Sequence, residues 1–136
     1  MNQSTLAIIK PSAIIDGHTN AILAEIQAHG FQIKEKREEQ LTKARIQAFY
    51  AEHKERPFFA NLCRNMIGKS LILHLVKKKA ILDFRTLIGA TDPAKADPKS
   101  LRYRFGRSID HNALHGSDSP KAAERELRFF FPAKMA

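Results

Sequence analysis

The sequence predicts a sandwich of the α/β or α+β class, with helices covering one sheet. Three observations lead there. Short apolar runs of strand length are separated by segments whose apolar residues recur at helical spacing. The order reads β-α-β-α-(α)-β-α-loop-α, without an internal repeat, a low-complexity tract or a linker. At 136 residues, 43% of them hydrophobic, the chain suits one domain with a sizeable core.

Each element has its own signal. Thr5 to Ile9 is a buried-strand run, stopped by Lys10-Pro11. From Thr19 to His29, Ile22, Leu23 and Ile26 share a helical face, and Gly30 supplies the stop. Phe31 to Glu35 begins a second strand whose alternation fades into charge. Thr42 can cap a second helix in which Ile46, Phe49 and Tyr50 form one stripe. Pro57 to Met66 reads as a short helix, with Phe58 and Leu62 four apart. Leu71 to Val76 is a third strand, and Ala80 to Ile88 a helix ended by Gly89. Thr91 to Ala113 is a long irregular segment holding Pro93, Pro98 and Gly106, and loops of that length are usually functional. A fourth strand is expected near Asn112 to Leu114. Ser119 as N-cap and Pro120 at N1 open the last helix, whose apolar face is Ala123, Leu127, Phe130 and Phe131.

Composition excludes several classes. No apolar run approaches the roughly 20 residues of a membrane span. Met1-Asn2-Gln3-Ser4 does not resemble a signal peptide, and Cys63 is the single cysteine, so a reducing compartment, the cytoplasm, is expected. The net charge of +9 attracts polyanions of any kind, nucleotides, nucleic acid or anionic membrane surface. Lys77-Lys78-Lys79 reads as a solvated face, whereas Lys99, Arg102, Arg104 and Arg107 form a cluster better suited to gripping phosphate.

The chemistry concentrates in Asn112-Ala113-Leu114-His115-Gly116-Ser117-Asp118-Ser119. Neither G-x-x-x-x-G-K-[ST] nor G-x-G-x-x-G is present, and no G-x-S-x-G elbow supports Ser117 as a nucleophile. His111 and His115 are four apart but lack the partners of a metal site. His115 beside Gly116 fits a histidine that is itself the nucleophile toward phosphorus, since neutral imidazole offers an unprotonated nitrogen. Singly, each neighbouring residue has an ordinary structural explanation: Phe58 as core, Lys10 as a strand end, Arg85 and Arg102 as surface arginines.

The octapeptide resembles the active-site signature of the nucleoside diphosphate kinases, and other blocks are similar to that family in the same order. They are Ile8-Ile9-Lys10-Pro11, Phe49 to His53, Arg56 to Phe59, Arg85-x-x-Ile88-Gly89-Ala90-Thr91-Asp92-Pro93-Ala94, Ser100-Leu101-Arg102 and Glu126. The resemblance spans about residues 5 to 132. It implies a ferredoxin-like α+β fold, βαββαβ, with a four-stranded antiparallel sheet. It also implies ping-pong transfer of the γ-phosphoryl of an NTP through a phosphohistidine, His115, to an NDP. Catalytic roles would fall to His115, Glu126, Ser117, Lys10 and Tyr50. Nucleotide would be held by Lys10, His53, Phe58, Leu62, Arg85, Thr91, Arg102 and Asn112, with Phe58 stacking on any base. Mg²⁺ would bridge the nucleotide's own phosphate oxygens, so no protein metal site is expected. A homo-oligomer, tetramer or hexamer, is implied; nucleic acid is not required and no membrane is involved. The alternatives are a basic nucleic-acid-binding module or a histidine-phosphotransfer regulator. Departures from the family pattern lie at Ser12, Ile67-Gly68-Lys69, the shortened Lys77 to Ile81 segment and Asp110-His111.

Overall fold

The computed structural model describes residues 2–51, 55–57 and 59–132, apart from the side chains of Asn61 and Leu62. His53 and Phe58 therefore lie outside the described residues, as does the Leu62 side chain. The elements run β1 (Gln3–Ile9), α1 (Pro11–Ile15), α2 (Thr19–Ala28), β2 (Gln32–Leu41), α3 (Lys43–Phe49), α4 (Phe59–Arg64), β3 (Gly68–Lys77) and α5 (Ala80–Ile88). A 3₁₀ turn (Pro93–Lys95), α6 (Leu101–Phe105), β4 (Leu114–Gly116) and α7 (Pro120–Phe130) follow. The sheet has the order β2-β3-β1-β4, and every neighbouring pair is antiparallel. This is the antiparallel sheet expected above. Among the described residues no helix is long and apolar enough to cross a membrane.

Alternation along the central strands divides the core in two. Ala7, Ile9, Leu71, Leu73, Leu75 and Leu114 face one way, against Ile22 and Ile26 of α2 and Phe84, Leu87 and Ile88 of α5. The Phe31 and Phe84 rings meet edge to face at 5.6 Å. Leu6, Ile8 and Ile72 face the other way, against Ile46 and Phe49 of α3 and Leu127 and Phe130 of α7. The anticipated caps form. Thr42 accepts from Arg45 N at 3.2 Å, and Ser119 from Ala122 N at 3.1 Å.

The structure corrects several sequence boundaries. β2 extends to Leu41 although its second half is charged, because ladder bonds to β3 carry it as an edge strand. Its charges are absorbed locally, Glu39 taking Arg45 at 2.8 Å and Arg37 at 3.1 Å. The segment from Thr91 to Ala113 is not structureless. Asp92 accepts from Ala94 N at 3.0 Å to start the 3₁₀ turn, and Ser100 from Tyr103 N at 3.3 Å to start α6. α1 is one turn begun by Pro11, too short to leave a periodic signal. β4 starts at Leu114, two residues later than expected. α4 is shorter than Pro57 to Met66.

Two charge readings also change. Lys77 is not on a solvated face. It pairs with Asp83 at 2.5 Å and lies 5.7 Å above the Phe31 ring. Lys78 and Lys79 are exposed, and Lys79 turns into α5 with φ 58°. In the second cluster, Arg104 reaches Glu25 at 3.3 Å and Arg107 holds Asp16 through two bonds of 2.8 and 2.5 Å. Only Arg102 of that cluster points inward.

Candidate active site

β4 is three residues long, yet it separates two environments. Opposite Ala7 and Ile9, Gly116 and Leu114 face the α2/α5 core; His115, opposite Ile8, faces α3 and α7. Gly116 is required at its position because a Cβ there would lie 2.8 Å from Phe84 Cδ2. The glycine lets α5 press on the strand that carries the histidine.

On the α7 side, a compact network fixes the imidazole. Glu126 Oε1 accepts from Ser117 Oγ at 2.8 Å and lies 2.9 Å from His115 Nε2. Ser117 Oγ in turn accepts from Leu6 N at 3.2 Å, which commits the hydroxyl proton to the carboxylate. Burial disfavours charge on Glu126, but His115, Ser117 and Arg125 outweigh it and hold the carboxyl below its ordinary range. An ionised carboxylate only accepts, so Nε2 must carry a proton, and in the neutral imidazole the lone pair is then on Nδ1. Phe49 meets the imidazole edge-on at 5.5 Å and Tyr50 at 6.2 Å. Burial, followed by the charge of Glu126, raises the Tyr50 pKa, so the phenol stays protonated.

At the N-terminal end of β4 the groups are cationic. Lys10 Nζ donates to Asn112 Oδ1 at 2.8 Å, and Asn112 Nδ2 donates to the Thr91 carbonyl at 3.0 Å. The Lys10 backbone N–H bonds to the carbonyl of Ala113, whose φ of 77° is unusual for a residue with a Cβ. Burial, then Arg102, lowers the Lys10 pKa to about 8. Arg102 donates to the carbonyls of Gly89 and Leu114, both at 2.9 Å, while its Nε is buried without a partner. Burial and the charge of Arg85 lower its pKa to about 10, leaving it cationic at neutral pH.

The structure thus gathers His115, Ser117, Glu126, Tyr50, Lys10, Asn112 and Arg102 around β4. Arg85 and Thr91 are exposed. Arg85 lines a groove with Gln3, Leu82, Asp118 and Ser119. Two participants were not singled out from the sequence, Phe49 as a wall of the histidine and Arg125 as a partner of Glu126. The first read as core. The second had only its position beside Glu126 as a signal. Among the described residues no group of three His, Cys, Asp or Glu side chains could hold a metal ion. The cationic donor set fits a divalent ion only as one carried on phosphate oxygens.

Comparison with known proteins agrees with this geometry. The family model for nucleoside diphosphate kinase matches residues 3–135. The chain is 45% identical over 130 residues to a nucleoside diphosphate kinase of Geobacter sp., covering 95% of each chain. It is 40% identical over 132 residues to that of Thiobacillus denitrificans, covering 96% of this chain and 93% of the relative. Among solved structures, the Aquifex aeolicus nucleoside diphosphate kinase superposes with a TM-score of 0.93 at 38% identity, covering 96% of both chains. The Encephalitozoon cuniculi enzyme superposes with 0.90 at 28% identity, covering 95% of this chain and 88% of that one. The fold, the matched sequence and the histidine network together establish that this chain belongs to the nucleoside diphosphate kinase family.

Proposed function

We propose that this nucleoside diphosphate kinase works by two in-line displacements at His115 Nδ1. The Nδ1 lone pair attacks the γ-phosphorus of a nucleoside triphosphate, the bond to the β,γ-bridging oxygen breaks, and a nucleoside diphosphate leaves. A second nucleoside diphosphate enters, its terminal phosphate oxygen attacks the phosphohistidine, and the N–P bond breaks. The observation that carries this reading is the 2.9 Å contact of His115 Nε2 with a buried, ionised Glu126. It fixes the tautomer and offsets charge that develops on the ring as the N–P bond forms.

The remaining residues neutralise and position. Arg102, Arg85, Thr91 and Lys10 hold the phosphates, which is most of what a loose phosphoryl transition state asks of a protein. Lys10 and Asn112 also contact the sugar hydroxyls, and Tyr50 donates near the transferred group. His53, Phe58 and Leu62 serve the nucleoside, Phe58 by stacking on the base. Mg²⁺ brought with the nucleotide would add charge neutralisation beside the phosphates that Arg102, Arg85 and Lys10 hold. The chain acts as a single domain in a cytoplasmic homo-oligomer, a tetramer or hexamer, and needs neither nucleic acid nor a membrane.

Incubation with γ-labelled ATP and Mg²⁺ should label the protein on an acid-labile, base-stable residue. Unlabelled GDP should then remove the label as GTP. His115→Ala should take up no label, and retained labelling in that variant would overturn the reading.

A further inference from the structure

Glu126 uses its two oxygens differently. Oε1 receives Ser117 and His115. Oε2 lies 3.5 Å from Arg125 Nη2, an ion pair more than a tight hydrogen bond. The same guanidinium donates through Nη1 to the Phe49 carbonyl at 3.0 Å. That carbonyl closes α3, where the helix leaves its last acceptors without intrahelical partners. Phe49 presents its ring edge to His115, and Tyr50 follows directly. One guanidinium therefore spans the carboxylate wall and the aromatic wall of the histidine pocket, joining positions 76 residues apart.

We propose that Arg125 is a positioning residue for phosphoryl transfer, acting through Glu126 and the end of α3 to fix the orientation of the His115 imidazole. The proposal rests on His115 as the phosphoryl carrier. Without Arg125 the carboxylate can rotate about its last torsion, and the end of α3 is no longer tied to α7. Both changes loosen the ring whose Nδ1 must meet phosphorus in line. A planar fork with donors pointing two ways is needed for this span; a lysine ammonium can satisfy one end at a time.

Steady-state and pre-steady-state rates of the full-length protein test this. Arg125→Ala should lower kcat about tenfold, less than the hundredfold that ~1 Å of misplacement can cost. The nucleotide KM should stay within about twofold, as expected when an interaction acts mainly in the transition state. Added guanidinium ion should restore part of the rate to Arg125→Ala and none to the parent, and Arg125→Lys should fall between them. The acid limb of the kcat–pH profile should move to higher pH, because Arg125 is one of the groups favouring the Glu126 carboxylate. The groups facing that carboxylate are His115, Ser117, Arg125 and Tyr50. In a Glu126→Gln background the Arg125→Ala effect should shrink. Parent-like kcat and pH profile in Arg125→Ala would overturn the proposal, as would a loss without guanidinium rescue or movement of the acid limb. Arg125→Ala should still take up label from ATP. His115→Ala tests the carrier separately, so the two failures are distinguishable.

Discussion

The α7 side of β4 and its N-terminal end solve different problems with different materials. On the α7 side, Ser117, Glu126 and His115 lie within 12 residues of sequence and form a network organised around one carboxylate. At the N-terminal end, Lys10 meets Asn112 across 102 residues, and Asn112 meets Thr91 across 21. The first side prepares the nucleophile, fixing one tautomer and one ring orientation. The second gathers cations that burial makes costly, a cost that the proposed mechanism offsets when phosphate arrives. Only long-range packing can force Lys10 and Arg102, two like charges, into one buried region.

Variants in each region should separate these tasks. The largest effect is expected at Arg102→Ala, where transfer should fall about 10²–10³-fold through loss of phosphate neutralisation. Both kcat and KM should suffer. Stability should drop by about 1–3 kcal/mol as the Gly89 and Leu114 carbonyls lose their donors, readable from denaturant midpoints. Glu126→Gln should cost less, about tenfold to a hundredfold in kcat at constant KM. If the two variants gave the same KM–kcat pattern, the division of labour would fail.

Glu126→Gln also has a stability signature. The carboxyl sits below its ordinary value of 4.5 in the folded chain, so its stabilising contribution is complete above 4.5 and disappears as pH falls through the folded value. The acid flank of a Tm–pH profile should therefore flatten in Glu126→Gln relative to the parent.

Gly116→Ala tests the packing that seats β4 against α5. The added methyl meets Phe84, and overpacking of this kind costs about 1–3 kcal/mol. Unfolding should register that loss, and activity should fall with it if β4 shifts relative to Glu126. The smallest effect belongs to Lys10. Because its pKa in the free chain is about 8, binding a nucleoside triphosphate near that pH should draw protons up as phosphate restores the ammonium. Uptake of roughly half a proton is expected. Calorimetry in buffers of different ionisation enthalpy can read it, and Lys10→Gln should abolish it.

The sequence carried some of this with high fidelity. Thr42 and Ser119 announced their helices because caps are chemistry of three or four adjacent residues. Ala80 to Ile88 was readable to the residue, its apolar stripe ending on a glycine. Other segments defeated local reading for equally physical reasons. β2 keeps going through Lys36, Arg37, Glu38 and Glu39 because its ladder partner decides the matter. β4 and α1 are too short to show a period. Lys77 reads as solvated until Asp83 and Phe31 are placed beside it.

The catalytic candidates divide along the same line. By itself the sequence determined the longer elements, the octapeptide around His115 and the family resemblance, since these are set by residues close together or by matched spacing along the chain. Tertiary structure alone decided which imidazole nitrogen faces Glu126 and that Arg102, not its arginine neighbours, turns inward. It also decided that Lys10 is buried enough to soften its charge and that Arg125 bridges α3 to α7. Orientation, desolvation and charge proximity depend on strand register and packing between distant residues, and no local pattern encodes them.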